Sequence, residues 1–162
     1  MSDRRTTTTA VLVTACTALG LALQANSGNH KQENAPDLTS FHLSMDKLSK
    51  AAQASKVLEK LSEADPSFKG VAQFDKHKGP QAVAEGVSRI DDHPQARTAV
   101  VDTGISTRDY VLTMYCHEQS TEALFLKNDA RQKHYAPGTS EENVRFVKRH
   151  LKQINRLFSD KP

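Results

Sequence analysis

Residues 106–126, STRDYVLTMYCHEQSTEALFL, decide how the chain folds. Ser106 stands three residues before Asp109, the spacing of a capping box with the shorter Asp in place of Glu or Gln, so a helix starts here. Its first half, with Tyr110, Val111, Leu112, Met114, Tyr115 and Cys116, is apolar on nearly every side. Such a helix runs through the middle of a fold. A hairpin competes, because residues 98–102 and 109–115 are rich in β-branched and aromatic side chains and the TGIS between them suits a turn. The cap at Ser106 and the run from Glu122 through Ala123, Leu124, Phe125 and Leu126 favour the helix.

A helix buried on all sides needs other helices around it, and the flanking sequence supplies them. On the N-terminal side, Leu38, Phe41, Met45, Leu48, Ala52, Leu58 and Leu61 recur at spacings of mostly three and four and predict one long amphipathic helix over residues 37–63. Asp65 and Pro66 end it and cap a shorter turn carrying Phe68, Val71 and Phe74, and residues 75–80 (DKHKGP) form a loop. Pro80 suits a first helical position, with Val83, Val87 and Ile90 as the next apolar stripe. Residues 91–94 break that helix. A short one carrying Ala96, Ala99 and Val100 follows, ended by Gly104, which tolerates a left-handed cap. On the C-terminal side, after a polar loop with Pro137 and Gly138, Thr139 and Glu142 have capping-box spacing. The last helix then places Val144, Val147, Leu151, Ile154 and Phe158 on one face. No period of 20 to 50 residues repeats, which argues against a solenoid. The expected fold is all-α: an irregular up-and-down bundle of five or six helices in one domain over residues 37–162.

The first residues predict a destination. Arg4 and Arg5 precede residues 10–25 (AVLVTACTALGLALQA), which carry no charge and end in small residues: the layout of a signal peptide cleaved near Ala25. Val13, Thr14 and Ala15 before Cys16 offer the alternative of a lipoprotein anchored at Cys16. Residues 26–36 (NSGNHKQENAP) hold almost nothing to bury and predict a flexible linker. Nothing later in the chain is long and apolar enough for a transmembrane helix. Removing Arg4, Arg5 and Asp3 takes the 22 Lys+Arg and 19 Asp+Glu to 20 and 18, so the exported, periplasmic or secreted form is near neutral. Cys116 is then its one cysteine. An intrachain disulfide is excluded, and the domain rests on its core.

Composition and motifs narrow the chemistry. The net charge of +3 gives no footprint for nucleic acid. Neither a Gly-x-Ser-x-Gly elbow nor a phosphate-cradling glycine loop occurs. Cys116, His117 and Glu118 are the residue types that ligate transition metals and form the weak candidate metal site. Consecutive helical residues point about 100° apart, however, and the position four beyond His117 is Thr121 where a zincin carries a second histidine. The structural alternative makes Cys116 a small buried hydrophobe, with His117 or Glu118 marking where the helix becomes wet. Asp91, Asp92 and His93 are consecutive and suit capping better than calcium. With no Cys-x-x-Cys-His, c-type haem is excluded, and a haem between Met45 and His150 needs both side chains inside. No cofactor is expected.

The last helix carries the clearest candidate surface. Arg145, Lys148, Arg149, Lys152 and Arg156 fall along one side and suit an anionic surface, an envelope polymer or an acidic partner. The bland alternative is a solvated face whose cations complement the helix C-terminus. Glu141 and Glu142 suit the helix start.

The chain resembles an uncharacterised group of small exported bacterial helical proteins. The resemblance rests on Arg89-Ile90-Asp91, on His93-Pro94-Gln95-Ala96-Arg97, on Gly104-Ile105-Ser106-Thr107-Arg108-Asp109-Tyr110 and on Glu142-Asn143-Val144-Arg145-Phe146-Val147. It spans residues 37–158, and the group usually has a proline where Thr107 stands. It implies an exported helical domain and brings no activity. The expected function is therefore a non-catalytic envelope or secreted binding module for an envelope protein, an anionic surface or a small ligand. The alternative is a metal- or redox-dependent protein centred on Cys116 and His117.

Overall fold

The computed structural model describes residues 38, 40–73, 75, 78–126 and 139–159. The leader, the linker and Phe74 lie outside the described residues. Among those described there are five α-helices and no strand: α1 (Met45–Ala64), α2 (Pro80–Asp91), α3 (Pro94–Val101), α4 (Thr107–Leu126) and α5 (Glu141–Phe158). A 3-10 turn, Pro66–Phe68, follows α1.

α4 holds the middle, as its all-round apolar character requires. It packs against α1, α2, α3 and α5 and buries Tyr110, Val111, Leu112, Thr113, Tyr115 and Cys116. Leu48, Ala51, Ala54 and Leu58 of α1, Val83 and Ile90 of α2, Val100 of α3 and Val147 and Ile154 of α5 close around it as one core. The hairpin alternative is thereby excluded, since residues 98–101 and 109–115 are helical.

Local chemistry sets most of the helix ends. The Ser106 hydroxyl accepts from the Asp109 amide at 3.0 Å and donates to the Asp109 carboxylate at 2.8 Å, so the expected cap forms. At Gly104, φ is +79°, which a β-carbon disfavours. Asp65 leaves α1 in an extended conformation and its carboxylate accepts the Ser67 amide. That N–H bond holds the Asp65 carboxyl below its usual range. Arg89 donates to the Gly70 carbonyl at 3.0 Å and also to that of Gln73, tying the segment after the 3-10 turn to α2.

Two expectations are corrected. The first helix begins at Met45, not near residue 37: Ser44 caps it, and residues 41–44 are a non-helical arm held at the start of α5. Leu38 is buried as the spacing suggested, and so is Leu43 of the arm, which the helical spacing had left out. Asn143 decides this. Its side chain is buried, with Oδ1 accepting from the Leu43 amide at 2.9 Å and Nδ2 donating to the Phe41 carbonyl at 2.7 Å. One carboxamide thus serves one edge of the arm's backbone, donor and acceptor together, as a neighbouring strand would. The second correction concerns the cap of α5, which is Ser140, accepting from the Asn143 amide at 3.1 Å, and not Thr139. Glu142 therefore turns outward to His42 of the arm at 3.2 Å. The Thr139 hydroxyl is buried without a hydrogen-bond partner.

Candidate functional site

The α5 helix separates its residues sharply. Val144, Val147 and Ile154 are buried against the core, Leu151 and Phe158 are half-buried, and Arg145, Lys148, Arg149, Lys152 and Arg156 are all exposed. At 100° per residue these five cations fall within an arc of about 100°, and they extend about 16 Å along the axis. From Asn143 to Ser159 the sequence holds no Asp or Glu. None of the five forms an ion pair among the described residues, whereas Lys50 is paired with Asp46 at 2.7 Å, Lys78 with Glu85 at 2.9 Å and Arg97 with Asp91 at 3.8 Å. The helix dipole accounts for Arg156 in the last turn. It does not account for Arg145 and Lys148, which lie in the N-terminal half.

The Cys116, His117 and Glu118 side chains diverge. Cys116 is fully buried, and desolvation pushes its thiol up to about 12. The thiolate that ligates a metal or attacks a disulfide is therefore disfavoured. His117 is half-buried and its ring stacks on Phe158, with centroids 5.1 Å apart and planes 9° from parallel. Glu118 points to solvent. No group of three or more His, Cys, Asp or Glu side chains among the described residues could hold a metal ion. The Met45–His150 pair is also spent otherwise: Met45 packs at the edge of the core, and His150 Nδ1 lies 3.0 Å from Gln153 Oε1 with its ring against Phe146.

Sequence reasoning missed a groove along α4, about 380 Å³ in volume, lined by Met114, His117, Glu118, Thr121, Glu122 and Phe125. Phe125 is 69% exposed there, and the Thr121 hydroxyl is buried with no partner. The signal was present as a second stripe at spacings of three and four on a helix that otherwise looked apolar throughout.

Burial lowers the His117 pKa from its ordinary 6.5, and this gives a signed expectation. The unfolded chain takes up the proton first, so the stability His117 allows is present above about pH 6.5 and falls as pH drops through the lower folded value. Urea midpoints measured from pH 7.5 to 5 should decline more steeply for the native chain than for His117→Gln. Equal slopes would mean that the imidazole is hydrated in the folded state.

The chain matches no protein-family model, and comparison with curated proteins and with solved structures finds none that is similar. Among the described residues no helix is long and apolar enough to cross a membrane.

Proposed function

We propose that this protein is an exported, non-catalytic helical binding module whose recognition surface is the cationic face of α5. The carrying observation is that five exposed cations stand in line on one helix and that none of them is in an ion pair among the described residues. Their mutual repulsion offers the fold nothing, and it is relieved when an anionic partner replaces their counterions. A solvated face with no role would more commonly interleave acids, as α1 does with Asp46, Glu59 and Glu63 among its lysines. The N-terminal apolar segment supports export, with cleavage near Ala25 or lipidation at Cys16. The reading centred on Cys116 and His117 is the weaker one, because a thiol pushed up to about 12 is a poor nucleophile and a poor ligand.

The test has two arms. Fractionation with N-terminal sequencing is expected to find the chain outside the cytoplasm and processed. On an immobilised polyanion, the double variant Arg149→Glu, Lys152→Glu is expected to elute at clearly lower salt than a control reversing Lys56 and Lys60 on α1. Both variants change net charge equally. Equal elution would remove α5 as the recognition surface, and an uncut cytoplasmic chain would remove export.

A further inference from the structure

We infer that the anionic partner of the α5 face is a second copy of this chain, whose α4 groove carries the complementary charge. This rests on the reading of α5 as the binding surface and names its partner. Glu118, Glu122 and Phe125 line that groove at spacings of four and three, so they fall on one side of α4 within an arc of about 60°. Glu118 and Phe125 are exposed. Several acids elsewhere have a cation at hand: Asp46 has Lys50, Glu85 has Lys78, Asp91 has Arg97 and Glu142 has His42. Glu118 forms no ion pair among the described residues, and no Lys or Arg among them lines the groove. Glu122 adjoins the last turn of α4, where unpaired carbonyls add negative potential and no basic residue stands. The groove therefore calls for cations from outside.

The two surfaces match in spacing as well as sign. Glu118 and Glu122 are one turn apart, about 6 Å along α4, and Lys148, Lys152 and Arg156 repeat along α5 at the same four-residue interval. Helices laid side by side bring each carboxylate against a cation. Phe125 supplies the apolar part: at 69% exposure it is the most exposed large hydrophobic side chain among the described residues, and a basic head group can lie on its ring. His117, which also lines the groove, stacks on Phe158 at the end of α5, so the groove borders the helix that bears the stripe. Each copy thus holds an acidic and a basic surface as neighbours, and a two-fold pairing engages both at once. Groove against groove or stripe against stripe would set like charges face to face.

Sedimentation velocity of the full chain across micromolar concentrations tests this. Self-association is expected, and either Lys148→Glu, Lys152→Glu or Glu118→Lys, Glu122→Lys should weaken it about tenfold or more, whereas Lys56→Glu, Lys60→Glu should leave it in place. The decisive sample is an equimolar mixture of the stripe variant and the groove variant. Alone, the first sets carboxylates against the groove's carboxylates and the second sets lysines against the stripe's cations. Mixed, each new charge meets its complement, so association is expected to return. A folding defect cannot produce that recovery, and the apolar segment at residues 10–25 is common to all samples. A chain that stays monomeric, association indifferent to both variants, or a mixture as dissociated as its components would each overturn the inference. In those cases stripe-dependent retention on the polyanion leaves the binding module standing, and its absence removes both readings.

Discussion

Asn143→Ala is expected to lower the thermal midpoint by about 10 °C. The substitution deletes the acceptor for the buried Leu43 amide and the donor to the Phe41 carbonyl together. Leaving a buried backbone group unpaired costs about 1–3 kcal/mol, and the two losses sum to roughly 3 kcal/mol once the arm relaxes toward water. With an unfolding entropy of about 2.1 cal/mol/K per residue, a domain of this size converts that loss to the stated shift. Hydrogen exchange gives the local readout: the Leu43 amide should lose its protection, whereas amides in the middle of α4 slow and speed only with global stability. Retained protection at Leu43 would show that the carboxamide does not hold the arm. Ser140→Ala, which removes only the cap, should cost less, about 1 kcal/mol.

The Cys116 thiol is expected to react at least about a thousandfold more slowly in the folded chain than in the unfolded one. Desolvation moves it from an ordinary 9.0 to about 12, which at pH 7.5 lowers the thiolate fraction by about three orders of magnitude. Its complete burial adds a steric barrier to any aromatic disulfide reagent. Measured in a Cys16→Ser chain, so that one thiol is counted, labelling should proceed through unfolding alone. The two predictions are then linked. If Asn143→Ala removes roughly 3 kcal/mol, its Cys116 labelling rate should rise by about two orders of magnitude, one decade for each 1.4 kcal/mol. Rapid labelling of the folded native chain would reopen redox chemistry at α4.

The starts and stops of α2, α3 and α4 were legible because each is written within a few neighbouring residues. Pro80 and Pro94 at first helical positions, Gly104 with its positive φ, and Ser106 with Asp109 act through bonds to near neighbours in sequence. The arm was not legible. Leu38, Phe41 and Met45 have helical spacing, but an extended segment laid on a core buries alternate and irregular positions equally well. The choice between the two was made by Asn143, about one hundred residues away along the chain. The last cap was misplaced for a local reason: the Thr139–Glu142 spacing pointed to Thr139, whereas the Ser140 hydroxyl accepts the Asn143 amide.

The candidate surface was legible to the same degree. A stripe at spacings of one, three and four on a continuous helix is a property of helix geometry, so residues 145–156 could be placed on one side from sequence. Whether its cations would be neutralised by carboxylates from α1 or α4 depended on which elements packed beside α5. The α4 groove with Phe125 exposed depended likewise on which side of α4 its neighbours left open.

The amino-acid sequence by itself determined the helical class, the central role of α4 and the alignment of the α5 cations, because periodicity and capping act over one or two turns. Tertiary structure alone decided that residues 41–44 are an arm, that Cys116 is sealed while His117 stacks on Phe158, and that the basic stripe forms no ion pair among the described residues. Those outcomes rest on contacts between residues far apart in the chain. Their free energies exist only once the core has brought the elements together.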